Sequence, residues 1–311
     1  MDDGRRMTAD RQQHEVPGAR GQGPGEERSS LAPGPWNLEP SSRPRPVLKW
    51  VGGKGRLLPE LLARLPQTFG DYHEPFVGGG ALFFALAGAG RLGQVYLSDA
   101  NAALIDVYLA LRDDVAAVIA ALRHHLYDRD HYYRIRALDP QQLSLPERAA
   151  RVIFLNKTCY NGLYRENRAG QFNVPFGRYA NPTICDEPNL RAAAAILRNV
   201  DIARRRFDSV LDYAKEGDFV YFDPPYVPLS PTANFTAYDR AGFGPDDQRQ
   251  LRDVFAELAR RGVGAMLSNS DTPFVRELYA RFHIEQVLAT RAVNSKANGR
   301  GKVAEVLVLN Y

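Results

Sequence analysis

Cysteine is almost missing from this chain: two occur in 311 residues, Cys159 and Cys185. That scarcity excludes a disulfide framework and all but excludes a cysteine-rich zinc site. The six histidines (His14, His73, His124, His125, His131 and His283) show no ligand spacing with the cysteines. Long apolar runs are also lacking. The longest, Ala81 to Ala89 with Gly88 near its end, falls far short of the ~18 residues a membrane span needs. No apolar block follows the first basic residues, so no signal peptide is expected. A strong net charge is absent too: 40 Lys and Arg stand against 36 Asp and Glu. Residues 1–46 hold seven Arg and seven acidic side chains, which leaves the excess, 33 against 29, in the remainder. A mildly basic surface permits nucleic-acid binding without establishing it. The expectation is a soluble, cytoplasmic protein.

What is present is an ordinary globular balance, 44% apolar and 24% charged, which argues against a fibrous or wholly disordered chain. Residues 1–46 depart from it. They are rich in Gly, Pro, Arg, Ser and Glu, have little apolar periodicity, and are expected to form a disordered leader ending in a Pro-rich linker. Beyond them, Val95–Leu97, Phe219–Phe222 and Gly264–Leu267 read as buried parallel strands. Helical spacing marks Pro59–Leu65, Ala102–Leu111 and Asp246–Arg260. Such alternation predicts an α/β fold with a parallel sheet. Residues 112–200 break the alternation and are expected to be an inserted, mostly helical second domain, with residues 47–111 and 201–311 forming the first.

In sheets of this class, ligands sit beyond the C-terminal strand ends. Two segments there carry chemistry. Glu74-Pro75-Phe76-Val77-Gly78-Gly79-Gly80 precedes a helical run, where glycines let a ligand approach unpaired helix N–H groups. Phe83 stands where a third glycine of a dinucleotide fingerprint would fall. Asp99 ends the next strand, where an acid can hold ribose hydroxyls; a tight turn with a helix-capping Asp explains the same residues equally well. Asp223-Pro224-Pro225-Tyr226 directly follows the strand Phe219–Phe222. Its prolines hold a carboxylate, a carbonyl and an aromatic ring rigidly at the sheet edge, where a plain surface turn would seldom gather all three. An exocyclic amine is a poor nucleophile because its lone pair is delocalised. Asp223 and the Pro224 carbonyl can accept its two protons and favour a tetrahedral nitrogen, while Tyr226 stacks on the base. A base inside a duplex reaches such a pocket only by flipping out.

Together with Lys49-Trp50-Val51-Gly52-Gly53-Lys54, these segments occur in the order seen in the D12 class of adenine-N6 DNA methyltransferases. The chain resembles that class over residues 47–311, and within it the Dam-type methylases of GATC. Tyr160-Asn161-Gly162-Leu163-Tyr164-Arg165, Phe172 to Tyr179 and Asn234-Phe235-Thr236-Ala237-Tyr238 extend the likeness. The resemblance implies a Rossmann-like sheet, S-adenosylmethionine as methyl donor, double-stranded DNA as partner and no metal. It also implies a location in the cytoplasm at the nucleoid, and leaves open whether the enzyme works beside a cognate restriction endonuclease or alone in repair or regulation. By similarity, Trp50, Lys54, Phe76, Gly78, Asp99 and Asp223 would hold the donor, and Asp223, Pro224 and Tyr226 would carry catalysis. The insert would read DNA. Arg165 suits guanine O6 and N7, Leu163 and Pro175 a thymine methyl, Tyr160 and Asn161 entry into the base stack, and Lys49 and Tyr179 the first guanine. Arg178, and Arg165 itself on a blander reading, suit phosphate. Arg291, Ser295, Lys296, Asn298, Arg300 and Lys302 would form the basic tip of an antiparallel hairpin between the strands Ile284–Val293 and Val303–Tyr311. Two features depart from the Dam pattern: the wording Lys157-Thr158-Cys159 and the extra glycine in Gly78-Gly79-Gly80. An RNA or protein-amide methyltransferase, or a DNA-binding module with an inactive methylase domain, are the rival readings.

Overall fold

Strand residues here alternate between two apolar cores, which is why the sheet is covered on both faces. Along Phe219–Phe222, Phe219 and Tyr221 enter one core, while Val220 and Phe222 enter the other. Met266 and its neighbours Ala265 and Leu267 divide in the same way. The computed structural model describes residues 43–50, 52–167, 169–228, 243–290 and 302–311. Its sheet has seven strands: β1 (Tyr72–Glu74), β2 (Val95–Asp99), β3 (Val200–Arg204), β4 (Phe219–Phe222), β5 (Gly264–Ser270), β6 (His283–Thr290) and β7 (Lys302–Leu309). Their order is β3-β2-β1-β4-β5-β7-β6. The first five are parallel, with Tyr72 in register with both Val95 and Phe219, and β7 runs antiparallel between β5 and β6. This is the doubly wound, Rossmann-like order with one antiparallel strand let in near its edge. The order reverses between β1 and β4, so the two chemistry-bearing turns leave adjacent strands at the switch point.

The helices are α1 (Leu58–Ala63), α2 (Ala81–Gly88), α3 (Ala102–Arg123), α4 (Arg129–Ala137), α5 (Leu145–Thr158), α6 (Glu187–Leu197), α7 (Pro245–Arg260) and α8 (Pro273–Leu278). Caps start several of them. The Asn101 side chain accepts from the Leu104 N–H at 3.0 Å ahead of α3, and a Ser144–Glu147 capping box opens α5. The helix expected to end at Leu111 runs on to Arg123, because Val118, Ile119 and Leu122 continue its buried stripe past a kink at Asp114. The expected domain boundary at 111/112 therefore falls inside one helix. Two strands escaped the hydrophobic pattern. One is β3, whose burial alternates. The other is central β1, whose Tyr-His-Glu is wholly buried. Polar partners make that burial tolerable: His73 Nε2 lies 3.0 Å from Asp218, and Tyr72 donates to Glu74 at 2.8 Å.

Among residues 1–46, only 43–46 are described. They are seated, since the Arg45 N–H donates to Asn189 at 2.8 Å and its guanidinium pairs with Asp186. Asn234 to Tyr238 and, of the expected basic tip, Arg291 to Arg300 lie outside the described residues, while Lys302 is no tip residue but the first of β7, paired with Thr290. The flanking strands pair antiparallel as expected. No described helix is long and apolar enough to cross a membrane.

Candidate active site

Beyond β1, the chain turns through Gly78 (φ +46°) and Gly80 (φ +65°) before entering α2. A Cβ on Gly78 would meet the Trp50 ring at 2.8 Å, and one on Gly80 the Tyr108 hydroxyl at 2.9 Å. Only glycine fits the turn. Asp99, at the end of β2, braces it: one carboxylate oxygen accepts from the Gly78 N–H at 3.1 Å and the other from the Asn101 N–H at 2.9 Å. The α3 cap is Asn101 rather than Asp99, which braces the tight turn and also lines the cleft. Phe76 joins a ring cluster with Phe207 and Phe243 at 5.4 and 5.6 Å.

The Asp223 turn leaves β4 alongside. Its backbone is gripped from behind: Gln248 donates to the Pro225 carbonyl at 2.9 Å, the Val227 N–H donates to Asn269 at 3.1 Å, and Ser270 donates to the Val227 carbonyl. Pro224 lines the cleft, and among the described residues no backbone N–H bonds to its carbonyl. Asp223 Oδ1 receives the Lys54 ammonium at 2.6 Å and the Ser268 hydroxyl at 2.9 Å. The same ammonium lies 4.6 Å from the centre of the Tyr226 ring. Tyr226 in turn donates to Glu305 on β7 at 2.9 Å.

Burial pushes the Asp223 carboxyl up, while Lys54 and Ser268 oppose the rise by favouring its charged form. Glu74 is pushed up to about 8, chiefly by burial and also by the charges of Asp223 and Asp99; its bond from Tyr72 works the other way. Burial and the Asp223 charge hold Tyr221 and Tyr226 well above the usual phenol range, so both remain hydroxyl donors.

Both turns open on one cleft of about 2420 Å³, well beyond the ~300–1,000 Å³ of a pocket for one small ligand. Trp50, Lys54, Phe76, Gly78, Asp99, Asp223, Pro224 and Tyr226 all line it, as do Lys49, Asn161 and Leu163. Tyr160, Arg165, Pro175, Arg178 and Tyr179 do not. They sit on a looped-back segment after α5, held by isolated bridges Cys159–Phe176 and Glu166–Phe172. Tyr160 is half exposed at 52%, and Arg165 donates to Asn173 at 2.7 Å from an exposed position. Pro175 accepts from the Tyr160 N–H, Arg178 is exposed, and Tyr179 donates to the Cys159 carbonyl with the Lys49 ammonium 4.8 Å from its ring centre. Asn161 sits in the left-handed region at φ +55°.

Sequence reasoning passed over Asn156, wholly buried, which clips the start of the chain to this segment through Lys49 N–H, Lys49 C=O and Gly162 C=O at 2.8, 2.7 and 3.0 Å. It also passed over Glu74 as an acid, Ser268, Gln248, Asn269, Phe243 and Glu305. The polar run Ser268-Asn269-Ser270 closing an apolar strand was the available signal.

Comparison with known proteins decides the class. A family profile described as "D12 class N6 adenine-specific DNA methyltransferase" matches residues 50–293. The chain belongs to that family. Its methyl donor is accordingly S-adenosylmethionine, and the turn fits such a ligand: two aromatic faces, Trp50 and Phe76, flank a floor without side chains, and Asp99 stands at its edge. The Type II methyltransferase M1.LlaDCHI of Lactococcus lactis subsp. cremoris is 42% identical over 86% of this chain and 95% of its own. The Type II methyltransferase M.MjaIII of Methanocaldococcus jannaschii is 41% identical over 86% and 99%. The DNA adenine methylase of Escherichia coli K12 is 34% identical over 85% and 95%. Among solved structures, the rRNA methyltransferase AviRa from Streptomyces viridochromogenes aligns with 91% of this chain and 92% of its own, at 17% identity and a TM-score of 0.34. That likeness is too slight to carry an argument.

Proposed function

We propose that this D12-class enzyme methylates N6 of the adenine in GATC within double-stranded DNA, acting on a nucleotide flipped out of the helix. The observation that carries the reading is Asp223. It stands at the switch point beside the glycine turn, with one oxygen anchored and, among the described residues, no donor on the other. When bound, S-adenosylmethionine supplies an electrophilic methyl group on a sulfonium centre; Trp50, Phe76, Gly78 and Asp99 are the residues that would hold it, with buried Lys54 paired to Asp223 beside them. Asp223 Oδ2 and the Pro224 carbonyl each accept one N–H of the target amine. That draws its lone pair out of conjugation and offsets the positive charge that grows on nitrogen. Tyr226, clamped by Glu305, provides the face on which the base stacks. The proton released from N6 passes by way of Asp223 to solvent.

Residues 112–200 serve target recognition. Arg165 reads a guanine, Leu163 and Pro175 a thymine methyl, Lys49 and Tyr179 the first guanine, while Arg178 takes phosphate. Tyr160 and Asn161 enter the stack; an exposed ring beside a left-handed residue at a loop tip suits that part. GATC rests on the resemblance of the Tyr160–Arg165 and Phe172–Tyr179 segments to Dam-type methylases, and the 34% identity to a DNA adenine methylase supports adenine as the target base. The Type II names of two relatives favour a protective role beside a cognate restriction endonuclease, in the cytoplasm at the nucleoid.

The test is to incubate GATC duplexes with enzyme and S-adenosylmethionine and then probe them with nucleases sensitive to GATC methylation. Protection is expected from the wild type and is expected to be lost in Asp223→Ala. Unprotected GATC with methyl incorporated elsewhere would remove the GATC assignment. A wild-type rate in Asp223→Ala would remove the mechanism.

A further inference from the structure

We propose that Ser268 is a positioning residue for methyl transfer: its hydroxyl pins one oxygen of Asp223 and so leaves the other aimed at the target amine. The proposal rests on the reading that Asp223 receives that amine. Ser268 lies on β5 with no solvent exposure. Its oxygen is 2.9 Å from Asp223 Oδ1 and 3.0 Å from the Tyr221 hydroxyl. A serine hydroxyl has one proton, and an ionised carboxylate can only accept. The order is therefore set: Tyr221 donates to Ser268, and Ser268 donates to Asp223. With Lys54 on the same oxygen at 2.6 Å, Oδ1 is anchored from two directions.

That anchoring matters because the last torsion of an aspartate is broad and roughly two-fold, so the side chain by itself does not choose which oxygen faces the cleft. Lys54 reaches Asp223 from the cleft side, on a flexible stem beside the Tyr226 ring. Ser268 reaches it from the rigid sheet, and Tyr221 polarises the Ser268 hydroxyl further. Around Asp223 stand the Lys54 cation, the buried acid Glu74 on β1, the neutral phenols Tyr221 and Tyr226, and Glu305 on β7 behind Tyr226. Ser268 and Lys54 are the groups that favour the charged carboxylate. Without the Ser268 proton, Asp223 binds its own proton at higher pH and stops accepting from the amine.

The experiment measures single-turnover methylation of a GATC duplex at saturating S-adenosylmethionine, across pH, in Ser268→Ala, in Tyr221→Phe/Ser268→Ala and in Asp223→Ala. The double variant removes the phenol proton that Ser268→Ala alone would strand, so it separates packing from positioning. In both Ser268 variants the rate is expected to fall about tenfold or more, with donor affinity by fluorescence unchanged and the acid limb moved to higher pH. A wild-type rate and acid limb in Ser268→Ala would overturn the proposal. So would a loss that the double variant restores together with its melting temperature. If Asp223→Ala is inactive while Ser268→Ala turns over normally, the Ser268 role alone falls. If Asp223→Ala is fully active, the underlying reading of Asp223 falls with it.

Discussion

Glu74 shows how one side chain couples the cleft to the stability of the fold. Burial raises its pKa from 4.5 to about 8 in the folded protein. Between those values the folded state holds a proton that the unfolded state has released, so stability falls as pH rises through that window. Glu74→Gln, neutral throughout, is expected to give a flatter dependence. Melting temperatures from pH 5 to about 8 check it, and parallel slopes for the two proteins would contradict the assignment. On the proposed reading, Arg165 is the corresponding residue for recognition. Its guanidinium is steadied by Asn173 but is otherwise exposed, as a base-reading arginine must be before DNA arrives. Arg165→Ala is expected to cost ~1–3 kcal/mol of discrimination at one base position. Equal methylation of all near-cognate sites, with no single relaxed position, would assign Arg165 to phosphate instead.

At the scale of elements, α5 links the two halves of the chemistry. Its Asn156 is the joint that holds residues 49 and 162 side by side, so the segment bearing Trp50 and Lys54 and the loop bearing Tyr160–Leu163 move as one. Asn156→Ala removes three hydrogen bonds to the backbone, the one to Gly162 fully buried, and is expected to destabilise the protein by about 2–3 kcal/mol, read from denaturant midpoints. DNA affinity and donor affinity are both expected to fall with it, since Asn156 steadies the loop at 160–163 and the segment that bears Trp50 and Lys54. An unchanged midpoint would mean that water replaces the amide without loss.

For the whole molecule, the decisive feature is one cleft of about 2420 Å³ onto which both working turns open. Ligand binding to the folded state alone must raise stability. At a hundredfold excess over its dissociation constant, S-adenosylmethionine is expected to add about 2.7 kcal/mol, seen as a melting temperature several degrees higher. Asp99→Ala is expected to lose most of that gain, since the carboxylate both braces the glycine turn and faces the cleft. An undiminished shift in Asp99→Ala would leave Asp99 no part in holding the donor.

Much of this was legible along the chain. Alternating apolar runs and helical spacing were enough for an α/β sheet, because buried parallel strands have to be apolar on both faces. Glycines before α2 and prolines after β4 marked the two working turns, because few other residues tolerate those backbones. Three-dimensional proximity decided the rest. The central strand β1 carries His73 and Glu74, whose burial is offset by Asp218, just before β4, on His73 Nε2 and by Tyr72, which donates to Glu74. Asn156, Ser268 and Glu305 lie 107, 45 and 79 residues from the groups they hold, and no local spacing announces a hydrogen bond across such a gap. Local sequence determined which backbone each turn adopts; only the folded sheet decided which side chains converge on Asp223, since that convergence is made by strand order.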